Sequence, residues 1–60
     1  MDIGKMEAHH EAYLAYVRAC MPGVPSAELQ EKREENNRTW NALTEEEKEM
    51  VLFRDANHLW

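Results

Sequence analysis

The chain has little of several residue types that would otherwise direct its fold. Its 60 residues include one cysteine, Cys20, so no disulfide can form within the chain, and a lone thiol is typical of a reducing compartment. Only two prolines and two glycines are present, which leaves long uninterrupted stretches and favours helices. No apolar run approaches the roughly 20 residues of a membrane span, and no apolar stretch of a signal peptide follows Lys5. We therefore predict one small intracellular domain over residues 1–60.

Basic residues are also scarce. Seven Lys and Arg residues stand against twelve Asp and Glu residues, and the formal net charge is −5. This balance disfavours nucleic-acid binding, because neutralisation of phosphates supplies most of its non-specific affinity. An acidic surface suits a basic partner, or simply keeps a small protein in solution.

Apolar periodicity predicts three helices, at about residues 3–21, 26–42 and 45–59. Asp2 is placed to cap the first helix, and Ser26 the second. Pro22 and Gly23 separate these two helices. The middle of the second helix is almost wholly polar, which we interpret as a solvated face.

The segment Arg38–Lys48 predicts the end of one helix, a tight corner and the start of the next. Trp40 and Leu43 are its apolar anchors. Thr44 and Glu47 have the spacing of a capping box, in which each side chain bonds the other's backbone N–H. The segment therefore indicates a fold more clearly than a function.

These segments together predict an all-α three-helix mini-bundle. The expected core consists of the apolar residues on the helical stripes: Met6, Tyr13, Leu14, Val17, Leu29, Trp40, Leu43, Met50, Phe53 and, at the chain's last position, Trp60.

No reaction chemistry is evident, so we predict neither an enzyme nor a bound cofactor or metal. His9 and His10 are adjacent, so on a helix they point about 100° apart and cannot readily hold one metal ion. Cys20 falls near a helix C-terminus, whose dipole does not favour a thiolate, so we predict a buried thiol. The acidic residues form no isolated acid–base pair in a recognisable pocket.

The second helix carries the one grouping of basic residues, Lys32, Arg33 and Arg38. Glutamates are interleaved with them. Pairing of Glu28 with Lys32 and of Glu34 with Arg38, each four positions apart, would explain the basic residues without a ligand.

The stretch Trp40–Lys48 resembles the junction between the second and third helices of an HMG box. In that family a Trp, a Leu, a Ser or Thr cap and a Glu-Lys pair follow in the same order. Residues 12–16 resemble the start of the family's first helix, and residues 26–29 the start of its second. The resemblance implies the three-helix HMG-box fold, and it implies DNA binding in the minor groove with an apolar wedge from the first helix.

On this resemblance Tyr13 and Leu14 would be the wedge. The nucleic-acid-binding set then adds Arg18 of the first helix and three basic residues of the second, Lys32, Arg33 and Arg38. The location would be nuclear rather than cytoplasmic. The family's third helix is usually basic, whereas this one opens with three glutamates.

We accordingly expect a protein-interaction or regulatory module, because the apolar run Met50–Phe53 covers more than one face of its helix. Its partner could be another protein or a second copy. The expected contact residues are Tyr16, Met50, Val51, Leu52, Phe53 and Trp60. Two alternatives stay open: an HMG-box-like DNA-binding protein, and a small acidic inhibitor of the phage type that imitates nucleic acid.

Overall fold

Three α-helices make up most of the structure, a computed structural model that describes residues 2–60. Within this range α1 spans Ile3–Ala19, α2 spans Ser26–Asn41 and α3 spans Glu45–Asn57, and no strand is present. The predicted all-α three-helix fold is confirmed. Each helix ends one or two residues earlier than the periodicity indicated.

The N-termini of α1 and α2 are capped in different ways. Asp2 caps α1 as predicted, because its Oδ1 accepts a hydrogen bond from the Lys5 N–H at 3.2 Å. The prediction for Ser26 was wrong. Pro25 is the N-cap of α2 and makes no side-chain cap bond, but its carbonyl accepts from the Leu29 N–H, so Ser26 is already helical.

Helix α2 runs antiparallel to α1. His9, near the start of α1, contacts Thr39 at the end of α2, and Tyr16 lines a hollow with Leu29 near the start of α2. The chain reverses at Gly23, whose φ of 92° suits a residue without a side chain.

The predicted solvated middle of α2 was wrong for one stripe of the helix. Lys32 and Glu35 are half-buried and line a hollow together with Ala12 and Ala15 of α1. Alanines leave room for the stems of long polar side chains, which cover apolar surface while their charged ends reach water. A polar helix can therefore pack along α1 without an apolar stripe of its own.

Helix α3 lies beside only the first half of α1 and runs in the same direction. The Asp2 N–H donates to Glu47 at 2.7 Å, Met6 and Val51 share one buried cluster, and His10 approaches Asp55 at 3.8 Å. The rest of the α1–α2 hairpin extends past α3, and the molecule measures 37 × 22 × 15 Å.

The apolar core is small. Met6, Leu43 and Val51 are its buried members, and Trp40 and Met50 pack against them half-buried. Leu14 and Leu29 are also half-buried. Of the predicted core, Met6 and Leu43 are thus fully confirmed.

Four predicted core residues are instead exposed: Tyr13 at 44%, Val17 at 46%, Phe53 at 56% and Trp60 at 36%. Tyr13 borders an open hollow with Asp55, His58 and Trp60 at the end of α3, and Val17 lies one turn farther along α1. Phe53 lies roughly 200° around α3 from the buried Val51, so it faces outward.

Two further predictions about α1 and α2 were wrong. Cys20 is exposed, because α1 ends at Ala19 and Cys20 is its C-cap, while Ala19 takes the buried position. Within residues 2–60 the ion pairs expected four positions apart on α2 are not formed. Arg38 pairs with Glu35, three positions before it, and Lys32 lies against α1.

Candidate protein-interaction site

The start of α3 is fixed by Glu47. Thr44 Oγ1 accepts from the Glu47 N–H at 3.2 Å, and Glu47 Oε1 accepts from the Thr44 N–H at 2.9 Å, so the predicted capping box is confirmed. The other oxygen, Oε2, accepts from the Asp2 N–H. The backbone N–H groups of Thr44 and then Asp2 lower the pKa of the Glu47 carboxyl. One carboxylate therefore joins the starts of α1 and α3.

This attachment decides which side of α3 faces outward. Glu47 and Val51 are one turn apart and both are buried, so they define the inner side. The opposite side carries two glutamates and three apolar residues, and four of these five line one hollow. We call this set the α3 outer face: Glu46, Glu49, Met50, Leu52 and Phe53.

The apolar part of the α3 outer face is open to solvent. Leu52 is 59% exposed and Phe53 56%, whereas Met50 is half-buried against the core. Val51 was predicted as a contact residue, but it is 1% exposed and belongs to the core. The helical period explains the correction, because four consecutive residues cannot all lie on one side.

The acidic part of the α3 outer face consists of Glu46 and Glu49, which are both exposed. Lys48 lies toward the core, with its Nζ 5.6 Å from the Trp40 ring centroid and 3.4 Å from Glu45 Oε1. Within residues 2–60, neither Glu46 nor Glu49 forms an ion pair. Two unpaired carboxylates therefore border the exposed apolar residues.

Trp60, another predicted contact residue, is 36% exposed and packs against α1. His58 adopts a left-handed conformation with φ of 53°, and the chain turns back toward α1. The Trp60 ring stacks on His10 at 4.2 Å and 9°, and its Nε1 donates to Asp55 Oδ1 at 2.6 Å. Tyr16 is half-buried beside α2. Neither aromatic residue belongs to the α3 outer face.

The candidate nucleic-acid residues are not gathered into one basic patch. Lys32 and Arg38 share a hollow with three glutamates, and Arg33 lines a different hollow beside Tyr16. On α1, Arg18 and Tyr13 are exposed and Leu14 is half-buried. DNA binding stays a prediction that these positions do not test.

His9 is a buried residue that the apolar pattern of α1 did not predict. Its Nδ1 lies 3.0 Å from Thr39 Oγ1, and the Thr39 hydroxyl donates its single proton to a backbone carbonyl of α2. The hydroxyl must therefore accept from His9, which places a proton on Nδ1. The ring also packs on Trp40 at 5.1 Å. The sequence signal that could have identified His9 as buried is its spacing of three residues from Met6.

Burial lowers the pKa of His9, and the effect outweighs the opposing influence of Asp55 and of the Asn36 carbonyl. The residue is thus a neutral structural group between α1 and α2. Across residues 2–60, no three or more His, Cys, Asp or Glu side chains are grouped so that they could hold a metal ion.

Comparisons with protein-family models, with curated proteins and with solved structures found no match to this chain. Within the part of the chain that the structure describes, no helix combines the length and apolar character needed to cross a membrane.

Proposed function

We propose that this chain is a non-catalytic protein-interaction module that binds a basic segment of a partner protein through the α3 outer face. The observation that carries the proposal is the exposure of Leu52 and Phe53 beside the unpaired carboxylates of Glu46 and Glu49. The proposed setting is intracellular, cytoplasmic or nuclear, in keeping with an exposed free thiol at Cys20.

The apolar residues supply the proposed affinity. Contiguous exposed apolar side chains often mark a binding surface, and aromatic anchors dominate the energy of many interfaces. Phe53 sits on a helix whose start is held by the capping box and by the bond to Asp2. A ligand would thus meet an anchor that is already positioned, which lowers the entropy cost of binding.

The carboxylates supply the proposed selectivity. Opposite charges at the rim of an interface steer encounter and disfavour partners of like charge. Glu46 and Glu49 line the same hollow as Met50 and Phe53. The fitting ligand is an amphipathic segment in which Lys or Arg residues flank an aliphatic or aromatic anchor.

Selection from a random-sequence peptide display library tests the proposal and needs no identified partner. The expected peptides share an apolar anchor flanked by Lys or Arg. Their affinity should fall at least about tenfold with Phe53→Ser and weaken as salt rises, because charged rims are screened. Tyr13→Ser, at another exposed aromatic residue, 44% on α1 against 56% for Phe53, is the matched control and should leave the affinity unchanged.

Selection of no peptide, or of peptides whose binding ignores Phe53→Ser, would overturn the proposal. Peptides that need Glu46 and Glu49 but not Phe53 would instead favour the acidic-inhibitor alternative, in which carboxylates imitate nucleic-acid phosphates. Circular dichroism of each variant establishes that the helices are retained.

A further inference from the structure

The chain folds back onto α1 after α3, and three side chains hold it there. The Trp60 ring stacks on His10 with a centroid distance of 4.2 Å, and the Trp60 Nε1–H donates to Asp55 Oδ1 at 2.6 Å. The same Asp55 oxygen lies 3.8 Å from His10 Nδ1. We call His10, Asp55 and Trp60 the His10 clasp, because they tie the end of α3 and the residues after it to α1.

The His10 clasp lacks one hydrogen bond that its geometry nearly makes. Within residues 2–60, His10 Nδ1 is buried and has no hydrogen-bond partner, since 3.8 Å is too long for one. A neutral histidine carries a proton on one ring nitrogen, whereas a charged one carries a proton on each. A charged His10 therefore has a proton on Nδ1. A movement of about 1 Å would then bring Nδ1 and Asp55 Oδ1 to the distance of a charge-assisted bond, about 2.7–2.9 Å.

Carboxylates outnumber cations around the His10 ring. Two hollows border the ring, and they are lined by α1, by α3 and by the residues after α3. Their acidic members are Glu7, Glu11 and Asp55. Against these stands Arg54, whose Cζ lies 4.9 Å from the Trp60 ring centroid. The other titratable neighbours are Tyr13, His58 and, next in the chain, His9. A positive charge on His10 would thus meet more attraction than repulsion.

We propose that the His10 clasp is a pH-sensitive contact that tightens as the pH falls, because protonation of His10 completes its ion pair with Asp55. Protonation also strengthens the stacking, since a cation within about 6 Å of the face of an indole is attracted to the ring. Solvent protons can reach His10, whose side chain is 22% exposed. Histidine ordinarily changes its charge between about pH 5 and pH 8, which is the range in which the clasp should respond.

The two adjacent histidines would respond to acid in opposite ways. His9 faces α2 and contacts Thr39 as a neutral ring, so acid weakens that contact. His10 lies about 100° farther around the helix and faces the end of α3, where acid strengthens the contact. Mild acid would therefore loosen α2 from α1 at His9 while it holds the end of α3 in place.

An NMR titration of the unchanged chain from about pH 8 to about pH 5 tests the proposal. The His10 ring signals and the Trp60 indole N–H signal should change with one midpoint. The heteronuclear NOE of the indole should rise as the pH falls, because a tighter clasp reduces motion of the ring on the ps–ns timescale. The backbone N–H of Leu43, in the core, is the reference for overall order. A Trp60 NOE that stays constant, falls, or changes only together with that of Leu43 would overturn the proposal.

Two pairs of variants separate the ion pair from general effects of charge. Asp55→Asn keeps an acceptor for the Trp60 indole but removes the charge, so most of the rise in the NOE should be lost. Glu49→Gln removes the same charge on the exposed side of α3 and should preserve the rise. His10→Gln should make the Trp60 signals independent of pH, whereas His58→Asn, which suits the left-handed backbone at that position, should not. Equal effects within either pair would overturn the clasp.

The His10 clasp and the proposed binding of a basic segment are tested separately. The clasp shares no residue with the α3 outer face, and the titration uses no peptide. A failed peptide selection therefore counts only against the binding proposal, and a Trp60 signal that ignores pH counts only against the clasp.

Discussion

At the residue scale, Glu47 joins parts of the chain that are 45 positions apart. Its charged carboxylate accepts from the Thr44 and Asp2 N–H groups, while its own N–H donates to Thr44 Oγ1. These bonds favour the ionised form, so the pKa of Glu47 in the folded chain is lower than its ordinary value of 4.5. The ionised carboxylate therefore stabilises the fold.

The sign of this linkage predicts an acid dependence of stability. Because the unfolded chain takes up the proton first, the contribution is complete above about pH 4.5 and is lost as the pH falls through the lowered folded value. Glu47→Gln should unfold at lower urea concentration at neutral pH and depend less on pH below 4.5. Glu46→Gln, exposed and one residue earlier, should behave like the unchanged chain. Urea unfolding at several pH values measures both.

His9 acts in a separate pH window. Burial lowers its pKa below 6.5, so the unfolded chain binds a proton at a higher pH than the folded chain. The contribution of neutral His9 is complete above about pH 6.5 and is lost as the pH falls toward the lowered folded value. Glu47→Gln should leave the pH dependence that comes from His9 unchanged.

If Glu47→Gln instead keeps the full loss of stability below pH 4.5, the role given to Glu47 is contradicted.

At the scale of the helices, the starts were predictable where the signal is local. Asp2 and Thr44 each cap a helix through a backbone N–H three residues later, and this spacing is visible in the sequence. Ser26 has the right chemistry, but the preceding proline moves the helix boundary by one position. Local patterns thus identified two of the three caps.

Which residues of α1 are buried was less predictable, because it depends on how far the neighbouring helix α3 extends along α1. The apolar stripe of α1 is buried at Met6, where α3 lies over it, and is exposed at Tyr13, beside the end of α3, and at Val17, one turn farther along. The side that faces α2 carries His9 and small alanines, which give no apolar signal. Periodicity shows which residues share a side of a helix, but not which side a short partner covers.

The corner before α3 supports a prediction about the core. Leu43 is 5% exposed and packs with Met6 and Val51, so Leu43→Ala should cost about 2–5 kcal/mol of unfolding free energy through lost burial and a cavity. In a domain this small, such a loss removes much of the stability. Leu52→Ala is the matched control: Leu52 is 59% exposed, so the same change should cost less than about 0.5 kcal/mol. Thermal unfolding by circular dichroism measures both, and equal losses would contradict the assigned core.

At the scale of the whole molecule, the position of α3 against α1 could not be predicted from the sequence. It depends on the bond between Asp2 and Glu47 and on the stacking of Trp60 on His10, which are contacts between distant residues. The apolar run of α3 predicted an exposed surface, and Leu52 and Phe53 confirm that part. That Val51 faces inward follows from the position of α1, which no local pattern records.

The net charge of the chain predicts that it does not bind DNA. With a charge of −5 and glutamates in the hollow beside Lys32 and Arg38, few phosphates could be neutralised, so we expect no gel shift of four-way DNA at low salt. The double variant Glu34→Gln, Glu35→Gln removes two acidic neighbours of the basic side chains of α2 and should be measured in the same assay. If it shifts DNA while the unchanged chain does not, acidic neighbours suppress a basic site. A shift by the unchanged chain that weakens steeply with salt and disappears with Arg18→Glu would contradict this prediction, and it would favour the HMG-box-like alternative.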